Sequence, residues 1–366
     1  MDKLKELIKN NKKIILISGA VLLVIILIIL VAVILINVFK KYDYQALENL
    51  MVEKTKSYLK ANSSLLPNEE NQITSVDVTT LVNEKYMKDL NKISKGTNCT
   101  GKVDIVYNNG YRYYPKLVCN NYETKNLEEI ILENNDILTS GNGIYELNNG
   151  YVYRGEYVNN YINFANESFR IVKFDDELMY LILSDTANDV EQAVFDDRYN
   201  ETINSYRGYN SFETSRIKKT LEDLYNGYFA NYQNYLLPFD SCTHTRSETD
   251  FNNTGEIECY STYQTYISLL AVYDYLNASN DPLCKTAISG NCSNYNYLAQ
   301  TTNKWWLLNG TNENNYDVYA VNTKGKISLE QASTKKFLRI VIAIPSDVLY
   351  KKGDGTSSNP YEFYLY

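Results

Sequence analysis

Residue types that commonly carry chemistry are scarce in this chain. Among 366 residues there is one His, with two Trp and six Pro. One His excludes an H-E-x-x-H metalloprotease helix, which needs two imidazoles one turn apart. No G-x-S-x-G, P-loop or G-x-G-x-x-G occurs, so a nucleophile elbow, a phosphate cradle and a dinucleotide fingerprint are all missing. Gly353-Asp354-Gly355 reads only as a turn. None of the six Cys stands in C-x-x-C spacing, which argues against structural zinc. No metal or cofactor is expected.

Charge is missing from one long stretch. Residues 14–39 are apolar apart from Ser18 and Asn37. As a helix they would extend roughly 39 Å, against about 30 Å of bilayer hydrocarbon. Lys3, Lys5, Lys9, Lys12 and Lys13 precede the run, and only Lys40 and Lys41 follow closely. This excess places residues 1–13 in the cytoplasm and the remainder outside. The run is longer than a signal-peptide core and has no A-x-A-like site, so an uncleaved signal anchor in the lipid bilayer is expected.

Beyond the anchor, the outer part holds 29 basic and 42 acidic side chains, a net of −13. Such a surface repels nucleic acid. The 35 Tyr suit wet binding surfaces, and an A+T-rich bacterial genome favours them too.

All six Cys lie on the expected outer side, and an even count there reads as three disulfides. One pairing follows from register. Two β-rich runs, residues 102–107 and 111–118, flank Asn108-Asn109-Gly110, a strong turn signal. A turn centred on Asn109 pairs positions whose numbers sum to 218, and Cys99 and Cys119 satisfy this. Proximity in sequence suggests Cys242 with Cys259 and Cys284 with Cys292.

Apolar spacing predicts a helix over 42–60 and a shorter one over 76–90. The acidic segment 127–144 reads as a linker. Short strands are expected near 151–154, 161–164, 169–174, 179–184, 305–308, 318–322, 325–328 and 337–344. Helices are expected after Thr214 and over 262–276. The fold class is α+β: one transmembrane helix, a small helix-plus-hairpin module over 40–126, then a larger domain over 145–366 with two helices and many short strands.

Residues 42–126 resemble a small module found behind a membrane anchor in bacterial pilin-like surface proteins. The likeness rests on the long helix, residues 81–87, Cys99-Thr100-Gly101 and Leu117-Val118-Cys119. The glutamate of a type IV prepilin cleavage site is missing. Residues 145–366 resemble a bacterial surface domain related to C-type lectins and the formylglycine-generating enzymes. The motifs are Tyr153-Arg154-Gly155, Asn159-Asn160-Tyr161-Ile162, Phe169-Arg170-Ile171, Trp305-Trp306-Leu307-Leu308, Val321-Asn322, Arg339 and residues 353–356 with 359–361. Phe169 and Ile340 depart from the usual Trp and Pro. The enzymes' catalytic cysteine pair has no match here, so their activity is not carried over.

Cys242 and His244 could form a nucleophile pair, but the neighbouring Cys259 favours a disulfide. Oxygen-bearing clusters at Asp196, Asp197 and residues 309–317 read as solvated loops before calcium sites. Trp305 and Trp306 would point to opposite faces of a strand, one into the core and one towards a ligand. Candidate ligand contacts are Trp305, Trp306, Asn309, Asn312, Tyr316 and Asp317. The loops 240–259 and 309–317 are expected to meet at one rim. The combined expectation is a non-catalytic, membrane-anchored protein that binds an extracellular glycan or protein. The alternatives are a structural subunit of a surface apparatus and a formylglycine-generating-type enzyme.

Overall fold

The computed structural model describes residues 43–365, apart from 70–71, 95–96, 108–109, 148–149, 186–191 and 252–253. The expected cytoplasmic tip and transmembrane helix, residues 1–13 and 14–39, lie outside the described residues. Among the described residues no helix is long and apolar enough to cross a membrane. The fold class is corrected accordingly: what is found is a mixture of helix and strand without a spanning helix. The first described helix, α1 (Tyr44–Ala61), could not serve as one, because Glu53, Lys54, Lys56 and Lys60 punctuate it.

Residues from Leu50 onward form one compact unit. Within it α1 buries Met51, Val52, Thr55 and Leu59 at helical spacing and turns Glu53, Ser57 and Lys60 to solvent. The expected helix over 76–90 is different in fact. Ile73–Asp77 is strand β1, and the helix is only α2 (Val78–Asn83), followed by the single turn α3 (Leu90–Ile93). β1 pairs in register with β2 (Thr100–Tyr107), and that tertiary pairing overrides the local helical pattern.

The hairpin of β2 and β3 (Tyr111–Cys119) has the predicted register: Thr100 faces Val118 and Tyr107 faces Tyr111. Cys99 and Cys119 are bridged. A short β4 (Tyr122–Glu123) completes a four-stranded antiparallel sheet. One face carries Val76, Ile105 and Leu117. Of these, Val76 and Ile105 cluster with Leu59 and Leu81. The register puts Ser75, Asp104 and Tyr114 in one row of the other face, and Asp77, Lys102 and Lys116 in the next. Both ammonium groups lie 3.0 Å from Asp104 carboxylate oxygens, and the Ser75 hydroxyl donates to Oδ1. Burial opposes ionisation of Asp104, but these donors outweigh it and hold the carboxyl below the usual range.

The segment expected as a linker folds. Its first part is α4 (Leu127–Asn134), opened by a capping box of Asn126 and Glu129, with Leu127 and Ile131 in the larger core. That core surrounds a seven-stranded antiparallel sheet. Its strands are β5 (Gly143–Leu147), β6 (Gly150–Arg154), β7 (Tyr161–Phe164), β8 (Glu167–Phe174) and β9 (Leu178–Leu183), with β13 and β18 to follow. After β10 (Ala193–Val194), helix α5 (Arg216–Gly227) is capped by Ser215 and buries Ile217 and Leu221, as its spacing predicts.

The expected helix over 262–276 is strand in its first part. β11 (Phe239–Cys242) pairs with β12 (Thr262–Thr265), and β13 (Ile267–Leu269) pairs with β18; only α6 (Val272–Asn277) is helical. β-Branched and aromatic residues at 262–267 suit an extended chain, and pairing with β18 decides the matter. A second sheet joins β14 (Trp305–Gly310), β15 (Asp317–Val321) and β16 (Ile327–Gln331). After β17 (Lys335–Lys336), β18 (Ile340–Pro345) lies between β13 and β9 with every residue buried. β19 (Tyr350–Lys352) and β20 (Glu362–Phe363) close the chain.

Two outcomes test this account. Replacing Cys99 and Cys119 together by Ala should lower stability by about 3 kcal/mol, read from the denaturation midpoint. The second concerns pH. Because the folded-state pKa of Asp104 is depressed, its contribution is present above the unfolded value of about 3.9 and is lost as pH falls below it. The stability gap between wild type and Asp104→Asn should therefore be open at pH 7 and narrow below about pH 4.

Candidate functional site

A strand that enters a loop rim needs its backbone polar groups satisfied once they leave the sheet. Here buried amides and one guanidinium do this. Asn309 has no solvent exposure; its Nδ2 donates to Cys242 O at 2.8 Å and to His244 O at 3.0 Å, and its Oδ1 accepts from Val272 N at 2.9 Å. Arg246 is also without exposure. Its N donates to Gly310 O, and its carbonyl accepts from Asn312 N and from the Tyr319 hydroxyl. Its Nη1 lies 2.5 Å from Glu258 Oε1, and both side chains are fully buried. Burial pushes the Glu258 carboxyl above its usual range, against the pull of the Arg246 guanidinium.

The two loops expected to meet, 240–259 and 309–317, therefore do meet. Ser247 Oγ adds a bond of 2.8 Å to Glu313 Oε1. The Cys242–Cys259 bridge closes the first loop, so Cys242 is no free nucleophile beside His244. Cys284–Cys292 is bridged too.

A third loop, 196–210, completes the rim and was not legible as part of it. Asn210 Nδ2 donates to Thr311 O, Asn314 O and Asp317 O at 2.8–3.0 Å, and Asn200 Nδ2 donates to Asn315 Oδ1 at 3.1 Å. Gly208 sits at φ +72°, where an added Cβ would lie 1.8 Å from Asp196 O, so only Gly permits this turn. The acids suggested for calcium are engaged otherwise: Asp196 pairs with Arg198 and Asp197 with Arg216. Among the described residues no group of three His, Cys, Asp or Glu is placed to hold a metal ion.

The sequence-derived contacts separate into two groups. Trp305 and Trp306 are both fully buried, so neither faces a ligand as expected for one of them. Trp305 packs against Tyr275 and under the Arg339 guanidinium. Trp306 packs against Phe195, and its Nε1 donates to Ala193 O. The strand is covered on both faces, and alternation alone could not reveal that. Asn309 is likewise structural. Asn312 is exposed, and Tyr316 and Asp317 are half-buried on the rim.

Aromatic groups that the sequence reading passed over stand beside them. Tyr206 is 72% exposed and packs edge-on against Tyr199 at 5.0 Å, while Arg207 lies 5.1 Å over the Tyr316 ring. Phe251 is 72% exposed and Tyr260 83%. The run Tyr206-Arg207-Gly208-Tyr209-Asn210 was the available signal. The rim thus offers rigid rings, amides and a carboxylate on a buried polar lattice.

No protein-family model, curated protein or solved structure matches this chain.

Glu258→Gln leaves the buried Arg246 charge without its carboxylate. It should destabilise the fold by about 3–5 kcal/mol and open residues 240–259 to limited proteolysis. A denaturation midpoint equal to wild type would show that the pair does not hold the rim.

Proposed function

We propose that this chain is a non-catalytic binding protein of the cell exterior, and that the loop rim is its recognition surface. The observation carrying this reading is the convergence of the 196–210, 240–259 and 309–317 loops on a fixed scaffold. Loops held rigidly by a folded core are where recognition commonly resides. Exposed Tyr rings with amide neighbours supply contact area at low entropic cost, with adaptable hydrogen bonds around them. Three disulfides support an oxidising location outside the cytoplasm. The C-type-lectin-like resemblance of residues 145–366 agrees with a glycan or protein ligand.

The alternative of an assembly subunit has less support. Such a subunit would present an extended apolar flank on α1, whereas Glu53, Ser57 and Lys60 face outward there. For the enzyme reading, the only Cys–His neighbours are tied up by the disulfide.

The test is a glycan and protein array probed with the chain, followed by Tyr206→Ala/Tyr316→Ala on any ligand found. Capture should fall by about tenfold or more with a nearly unchanged Tm, since Tyr206 is exposed and Tyr316 half-buried. Turnover of a sulfatase-derived peptide that is lost on Cys242→Ser would replace this reading with the enzyme.

A further inference from the structure

Among the described residues, nothing covers the polar face of the β1–β4 sheet. It forms the floor of an open cavity of about 840 Å³, walled by α2, α3, the start of α4 and Asp347 and Leu349. Apolar side chains stand uncovered at its ends: Ile73 is 62% exposed and Val118 47%. The cavity lies apart from the loop rim and shares no residue with it.

The electrostatics of the cavity are one-sided. Six carboxylates line it against two ammonium groups. Those two, Lys102 and Lys116, are both spent on Asp104. Asp89 caps α3 and Glu129 belongs to the α4 capping box. Asp77 and Glu123 have no ion pair among the described residues. The α2 backbone takes no cap bond from Asp77 either. The site therefore repels anions and favours cations. A lone metal ion does not fit this pattern: the carboxylates are spread along the cavity and no three are grouped as ligands. The volume is that of a site for a molecule, not an ion.

We propose that this face docks an extended segment of a partner protein carrying Lys or Arg at alternate positions. Four strands span about 14 Å across their hydrogen-bonding direction, the length of about four extended residues. In such a segment, side chains of one parity meet the floor. Cationic groups of that parity reach Asp77 and Glu123, and the methylene stem of the one at Glu123 lies against Val118, its cross-strand neighbour.

The experiment titrates the whole chain with a fluorescent peptide of alternating Lys and Val, a matching Glu–Val peptide, and spermine. The Lys–Val peptide should bind, more weakly as salt rises. The Glu–Val peptide should not. Asp77→Asn/Glu123→Gln should weaken binding about tenfold with unchanged Tm, because both side chains are exposed and unpaired. Tyr206→Ala, at the rim, should bind the peptide as wild type does, which separates this proposal from the rim's role. Equal affinity for the Glu–Val peptide, no effect of the double variant, or spermine binding as tightly as the peptide would each overturn it.

Discussion

A guanidinium and a carboxylate with no solvent exposure hold the loop rim together. Three loops leave the core, and polar groups satisfy their backbone where they meet. Arg246 does most of this. Its charge is matched by Glu258, its Nη2 donates to Asp250 O at 2.9 Å, and its main chain binds the 309–317 loop on both sides. Desolvating such a pair is expensive, so it adds less net stability than its geometry suggests. What it does supply is one arrangement of the loops, because every alternative leaves a buried charge unmatched. Asn210 and Asn309 extend the same logic with amides.

Beneath the rim the scaffold has a second buried cation. Arg339 donates to the carbonyls of Leu183, Ser184 and Leu298 and lies over the Trp305 ring. Burial draws its guanidinium down to about 10, so it remains charged at neutral pH with carbonyl dipoles as its partners. It ties β9, the turn before β14 and the entry to β18 into one unit.

The two surfaces differ in chemistry. The rim is aromatic and amide-rich on polar supports, whereas the sheet cavity is acidic with apolar ends. Both stand on rigid elements, and both leave side chains exposed that a core would have buried. Residues 42–366 carry a net of −13, and part of that charge is concentrated in one concavity.

Local chemistry settled several elements before any tertiary contact was considered. The Asn-Gly signal in the sequence predicted the β2–β3 register that is found, and that register sets Cys99 opposite Cys119. Ser215 and the 217/221/224 spacing set α5. Short β-rich runs over 151–184 matched β6 to β9, whereas β5 begins in the stretch expected to be a linker. Elsewhere the pattern was ambiguous and partners decided. Residues 262–269 became strands because β11 and β18 were there to pair with them. Residues 127–134 became a helix because the core accepted Leu127 and Ile131. Both indoles went inside because a strand covered on two faces has no outward parity. The Arg246–Glu258 pair and the part Asn210 plays at the rim left no periodic trace, since a long-range polar contact imposes no spacing on the sequence. Those contacts decide the shape of the rim, and only the folded chain brings their partners together.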